Sequence, residues 1–188
     1  MLVFQGHQVI ALIIDVLLPL VTAISIRFLI GGHTQSGKRL MYWELPLIYI
    51  VILFLPNSVY AMLEIKHLLM VDSVADILNA SSFIVFGGVS LFGYLVTLYQ
   101  NILIAHFFTK TDLGHQKAYF LLSALGGFGG VAGLLNFNSI QGILTPTILL
   151  QIGKAIFLHP SLILLSISIS LFIFLSTVLV SRFYKPSI

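Results

Sequence analysis

Long apolar stretches, separated by shorter polar ones, dominate this sequence. An α-helix needs about 20 apolar residues to cross the hydrocarbon core of a bilayer. Five stretches come close to this length and are predicted as transmembrane helices: 9–30, 45–64, 80–108, 118–135 and 161–181. No Lys or Arg precedes the first stretch and no small-residue cleavage pattern follows it, so we expect a retained helix rather than a signal peptide.

A sixth apolar stretch, 142–158, is too short for an ordinary span and contains Pro146 and Lys154. It fits either a short sixth span or a re-entrant or interfacial helix. With five spans and an external N-terminus, the positive-inside rule is obeyed by seven of the nine basic residues. These are Arg27, Lys38, Arg39, Lys110, Lys117, Arg182 and Lys185. Six spans obey it less well, so we predict five spans plus this segment, with six as the alternative.

Composition leads to the same class. Of the 188 residues, 59% are hydrophobic and 8% are charged, whereas soluble domains average about 25% charged residues. We therefore predict an all-α polytopic transmembrane helix bundle that forms a single integral membrane domain, 1–188, with the lipid bilayer as its solvent. In a membrane protein, the net charge of +3 mainly reflects basic residues in the cytoplasmic loops. The sequence has no basic patch, so we expect no nucleic-acid partner. The absence of cysteine excludes disulfides and thiolate chemistry.

Polar residues in the second half of the second span and just beyond its end form one stripe. Asn57, Tyr60, Glu64 and His67 are spaced three, four and three apart, which places them within an arc of roughly 80° on a helix. Pro56 precedes the stripe and removes one helical hydrogen bond. Ionisable residues inside a span are costly and often functional.

The first span carries a matching stripe, and a third leads into the third span. Their members are Gln8, Asp15, Pro19 and Thr22, and then Asp72, Asp76 and Asn79. In the five-span topology all three stripes lie toward the outer leaflet. They predict a hydrated, outward-facing ligand pocket that contains Asp15, Asn57, Tyr60, Glu64, His67 and Asp76.

Simpler roles fit the same residues. Asp15 could hydrogen-bond to Asn57 or Tyr60 and only hold two helices together, and Glu64 and His67 could mark the headgroup boundary. Glu-x-x-His on a helix can supply two metal ligands, but one such pair is incomplete. We therefore predict no metal site and no cofactor, and leave the catalytic residues unknown.

The fourth span is rich in glycine at overlapping Gly-x-x-x-Gly spacings: Gly126, Gly127, Gly129, Gly130 and Gly133. Such spacings let helices approach closely. We expect this helix to pack tightly, and a membrane-protein partner could bind through the same 126–133 segment. No strand precedes the run and no Lys-Ser/Thr follows it, which excludes a nucleotide-binding loop.

The second span and the residues just after it also contain a recognisable motif: Leu55, Pro56, Asn57, Tyr60, Glu64, His67 and Leu68. This motif resembles a family of predicted bacterial membrane proteins named domain of unknown function 1361, in which an aspartate usually stands where this chain has Glu64. Asp76 is similar to the aspartate that precedes the third span of that family. Of the family's second motif only the Asn138-Ser139 core is kept. The resemblance runs from the second span to about Pro146 and implies a bacterial cytoplasmic membrane location, but no known reaction.

Three functions remain open from the sequence. The leading hypothesis is a non-enzymatic protein that binds or helps to move a small polar or amphipathic ligand through the outer-leaflet pocket. A second is an accessory subunit that packs against a larger membrane complex. A third is an intramembrane enzyme acting on a lipid or lipid-linked sugar, with Glu64 and His67 as acid–base groups or metal ligands.

Overall fold

The computed structural model describes residues 17, 20, 21, 24, 44–63, 65, 86–108, 112–134 and 146–184. This part of the chain is helical and contains no strand. Its five helices are α1 (Glu44–Leu63), α2 (Gly88–Phe108), α3 (Asp112–Leu134), α4 (Pro146–Leu158) and α5 (Pro160–Phe183). The predicted all-helical class is therefore confirmed for the described residues.

Three of the described helices are long and apolar enough to cross a membrane, and they correspond to the third, fourth and fifth predicted spans. They are Gly88–His106, Asp112–Leu134 and Pro160–Phe183. The exposed residues of these helices include many leucines and phenylalanines, such as Leu121 on α3 and Leu175 on α5. A water-soluble protein would bury most of these side chains, so their exposure is consistent with a lipid environment.

One predicted boundary is wrong. The fourth span is predicted to begin at 118, but α3 begins at Asp112, six residues earlier. Asp112 lies in the first turn, where a negative charge stabilises the positive end of the helix dipole. The ring of His115 in this extra turn stacks on the ring of His106 of α2, with ring centroids 4.1 Å apart. A favourable charge in the first turn and a tertiary contact therefore extend the helix beyond its apolar part.

Contacts between side chains establish the direction of each helix. Ser58 of α1 meets Gln100 of α2, whereas Ala61, later in α1, meets Gly93, earlier in α2. These two helices are therefore antiparallel. By the same reasoning α2 and α3 are antiparallel, because Asn101 contacts Ser123 and His106 contacts the earlier His115.

The helices α3 and α5 are also antiparallel. Phe120 packs edge to face on Phe174 at 5.9 Å, and Gly127, later in α3, lies against Ser166, earlier in α5. The short α4 precedes α5, and its Phe157 stacks on Phe128 of α3 with ring centroids 6.2 Å apart. The long helices α1, α2, α3 and α5 thus alternate in direction along the chain.

The glycines of α3 bring neighbouring helices into close contact. A Cβ atom built on Gly130 would lie 2.6 Å from the Cγ1 of Val59 on α1. On the adjacent side of α3, a Cβ on Gly127 would lie 3.0 Å from the backbone carbonyl oxygen of Ser166 on α5. The predicted tight packing of this segment is therefore present within the chain itself, with α3 between α1 and α5.

Apolar side chains fill the space that these contacts enclose. One cluster joins three helices and consists of Val59, Val131, Ile169 and Ile173. A second lies between α2 and α3 and contains Ile102, Ala105 and Tyr119, with residues of α5 packed against it. The core therefore lies along α3.

The close contact at Gly127 predicts a large effect of a single methyl group. In Gly127→Ala the new Cβ would overlap the Ser170 hydroxyl and would also meet backbone atoms of Ser166 and Ser170 on α5. The hydroxyl can rotate away, but the backbone atoms cannot. We expect a decrease of about 1–3 kcal/mol in the free energy of unfolding, the usual range for overpacking. Reversible unfolding in mixed micelles measures this change.

Gly153→Ala on α4 is the matched control, since a Cβ there meets nothing within 4 Å. Alanine is the better helix former by up to about 1 kcal/mol, so this variant should be neutral or more stable. Equal destabilisation of both variants would contradict the proposed role of Gly127.

Candidate functional site

Two of the six predicted pocket residues, Asn57 and Tyr60, are described by the structure, and both are half-buried on α1. The other four, Asp15, Glu64, His67 and Asp76, lie outside the described residues. The Tyr60 ring lies against α3, because a Cβ built on Gly133 would come within 2.8 Å of its Cδ2. This part of the stripe therefore borders the glycine-rich helix.

The described positions of the first predicted span are helical and lie near the same region. Leu20 packs against a buried pair, Ala61 of α1 and Val96 of α2. Leu17, Val21 and Ile24 are exposed instead. Because Asn57 is one turn before Ala61 on α1, this contact brings the first span alongside the flank of α1 that carries the polar stripe.

Six buried polar residues extend across the described helices, and we call them the polar layer. It consists of Ser58 on α1; Thr97, Gln100 and Asn101 on α2; Ser123 on α3; and Thr177 on α5. None of these residues is more than 1% exposed. The members carry neutral hydroxyl and amide groups, which exchange hydrogen bonds without bringing a charge into the bundle.

Between α1 and α2, the layer is organised around the hydroxyl of Ser58. This group lies 2.9 Å from Oε1 of Gln100, and Thr97 donates to it at 3.0 Å. Ser58 also lies 2.8 Å from the carbonyl oxygen of Leu55, and Thr97 lies 2.8 Å from that of Gly93. Each hydroxyl carries only one hydrogen, so at any moment it donates either to its partner in the layer or to a carbonyl oxygen of its own helix.

Asn101 connects three helices through one amide group. Its Nδ2 donates to Oγ of Ser123 on α3 at 3.2 Å and to Oγ1 of Thr177 on α5 at 3.3 Å. Thr177 in turn donates to the carbonyl oxygen of Ile173 in its own helix at 2.8 Å. Both hydrogens of the amide are thereby used, while Oδ1 of Asn101 is buried without a partner.

A second polar cluster lies near the junction of α2 and α3. Nδ1 of His106 is 2.9 Å from the carbonyl oxygen of Ile102, and the hydroxyl of Tyr119 is 3.5 Å from the same nitrogen. This cluster lies about 7.5 Å along α2 from Asn101, because five residues separate Asn101 and His106 at about 1.5 Å each.

The polar layer was not among the sites predicted from the sequence. A signal is present, because Ser90, Thr97 and Asn101 are spaced seven and four apart and share one face of α2. The charged and proline-flanked residues of the second predicted helix form the stronger sequence pattern. Neutral polar residues are common in membrane helices. The spacing alone therefore does not show whether these side chains join different helices or hydrogen-bond to carbonyl groups of their own helix.

The described residues contain no group of three or more His, Asp or Glu side chains that could hold a metal ion. The polar layer offers hydrogen-bond donors and acceptors suited to a neutral polar guest.

Comparisons with known protein families, with curated proteins and with solved structures found no match. The resemblance to domain of unknown function 1361 therefore remains a prediction that rests on its motif residues.

The polar layer predicts that one hydroxyl contributes measurably to stability. Ser58→Ala removes the group that Thr97 and Gln100 share, and leaves both of these polar side chains buried with one partner fewer. We expect the free energy of unfolding to fall by about 0.5–2 kcal/mol, the range found for hydrogen bonds between membrane helices.

Ser168→Ala on α5 serves as the control, since Ser168 is exposed. It should change stability by less than about 0.5 kcal/mol. Unfolding in mixed micelles compares the two variants, and equal effects would mean that the layer does not stabilise the bundle.

Proposed function

We propose that this chain is a non-enzymatic, multi-pass protein of the bacterial cytoplasmic membrane that binds or helps to move a small polar or amphipathic ligand. Its site is the outer-leaflet pocket predicted from the three polar stripes: Asp15, Asn57, Tyr60, Glu64, His67 and Asp76. Asn57 and Tyr60 are the members of this site on described helix α1.

The packing of the first span carries this proposal. Leu20 contacts Ala61 and Val96, while Leu17 is exposed. At 100° per residue, position 15 is about 160° around a regular helix from position 17. We therefore expect the polar stripe of the first span to lie on the side away from lipid, next to the flank of α1 that carries Asn57.

Helix directions support the five-span topology within this proposal. Because α3 and α5 are antiparallel, the chain between them crosses the membrane an even number of times. The one described helix in that interval, α4, has 13 residues and is about 20 Å long. This is shorter than the hydrocarbon core of about 30 Å, which favours an interfacial or re-entrant α4.

The two alternative functions have weaker support. The glycines at 126–133 contact α1 and α5, so a partner of an accessory subunit would have to bind the exposed face of α3, which includes Leu121 and Leu125. An intramembrane enzyme would depend on Glu64 and His67, and the neutral polar layer supplies no additional acid or base. Ligand binding therefore remains the function that we propose.

The topology is testable because the chain contains no cysteine. In intact cells, an impermeant thiol reagent should label Asp72→Cys and leave Lys38→Cys, Lys117→Cys and Lys185→Cys unlabelled, since we place these three lysines in the cytoplasm. Permeabilised cells provide the control, in which all four variants should react. Labelling of Lys185→Cys in intact cells would contradict the five-span topology.

The pocket predicts a ligand that depends on both the first span and α1. Native mass spectrometry of protein released from lipid nanodiscs, prepared with the host's own lipid and small-molecule extract, should detect a retained species. Asp15→Leu and Asn57→Leu should each lose it, because each removes hydrogen-bonding groups from one wall of the pocket. Asp15→Asn keeps such a group and should retain the species in part.

Ser168→Ala, on the exposed face of α5, is the control and should bind as the unaltered protein does. Unfolding in micelles checks that the variants remain folded. If the unaltered protein retains no species, or if the two leucine variants retain it as well as the unaltered protein does, the proposed pocket is wrong.

A further inference from the structure

Three buried side-chain atoms among the described residues have no hydrogen-bond partner: Oγ of Ser90, Oδ1 of Asn101 and Oγ of Ser166. Two of them are on α2, and the third is on α5, which is linked to α2 through Asn101 and Thr177. A buried polar atom without a partner is destabilising, and native proteins usually satisfy such atoms with ordered water.

Lipid cannot satisfy these atoms, because they lie on the interior side of their helices. Ser90, Thr97 and Asn101 share one buried face of α2, which extends about 16 Å from the first residue to the last. Leu91 and Leu95 are exposed on the other side of this helix. The missing partners must therefore come from inside the bundle.

The missing hydrogen-bond partner is clearest at Asn101. Its two amide hydrogens are donated to Ser123 and Thr177, which leaves Oδ1 as an acceptor without a donor. Reversing the amide would exchange Oδ1 and Nδ2 and leave an unused donor in place of an unused acceptor. The deficit therefore persists in either orientation of the amide.

We propose that a buried water molecule binds at Asn101, within hydrogen-bonding distance of Oδ1 and of the Ser123 hydroxyl. Water both donates and accepts, so it supplies the hydrogen that Oδ1 lacks and accepts the hydrogen of Ser123. The surrounding layer is neutral, which suits water better than an ion whose charge nothing there balances. This inference does not depend on the outer-leaflet pocket.

The test uses water itself as the probe. In this cysteine-free chain, a single cysteine gives one S–H band in the infrared spectrum, and transfer to D2O converts it to S–D only where water has access. Ser123→Cys places a thiol at the proposed water site with little change in volume. Its band should exchange at least about tenfold faster than that of a thiol in the dry core, where exchange requires local unfolding.

Val131→Cys is the matched control, since Ser123 and Val131 are both on α3 and are 1% and 0% exposed, respectively. Adding Asn101→Leu to Ser123→Cys removes the group that holds the water and should slow the exchange to the rate of Val131→Cys. A second pair on α5, Thr177→Cys and Ile173→Cys, repeats the comparison if Ser123→Cys does not fold. Equal exchange within the folded pairs would show that the layer is dry and overturn the proposal.

Discussion

The side-chain amide of Asn101 is the interaction on which the arrangement of the described helices depends most directly. It joins α2 to α3 and to α5 through two hydrogen bonds, in a position fully shielded from solvent. In lipid, the hydrophobic effect does not drive helices together, so hydrogen bonds and close packing select their neighbours. Inside the bundle few other acceptors are available to the hydrogens of this amide. The register of three helices therefore follows from where Asn101 finds its acceptors.

Close packing at α3 makes these bonds attainable. Hydroxyl and amide side chains are short, and they meet across helices only where the backbones approach closely. Gly126 and Gly130 allow α1 to approach, and Gly127 allows α5 to approach from the other side. Glycine lowers helix stability in water. In the bundle, its lack of a side chain lets neighbouring helix backbones come into contact.

The polar layer and the proposed pocket differ in their chemistry. The pocket combines ionisable groups with Asn57 and Tyr60 and is expected near the headgroups, where water solvates charge. The polar layer is neutral and deeply buried, as expected where an uncompensated charge would be costly. This separation is consistent with a ligand that binds from the outer side, while the interior holds the helices in register.

Sequence alone determined the helical class of the described chain, the approximate positions of its spans and the tight packing of the glycine-rich helix. Hydrophobic length and glycine spacing are local properties, so they can be interpreted without knowing which helices are neighbours. Of the predicted pocket, Asn57 and Tyr60 fall on a described helix. The contact of Tyr60 with Gly133 joins two features that were predicted separately.

Tertiary structure decided the rest. The early start of α3 depends on the stacking of His115 on His106, and the polar layer depends on which helix each face meets. Helical periodicity shows that Thr97 and Asn101 share a face, but it does not identify Ser123 and Thr177 as the partners of Asn101. Those residues are 22 and 76 positions away along the chain, and only the packing of the helices brings them together.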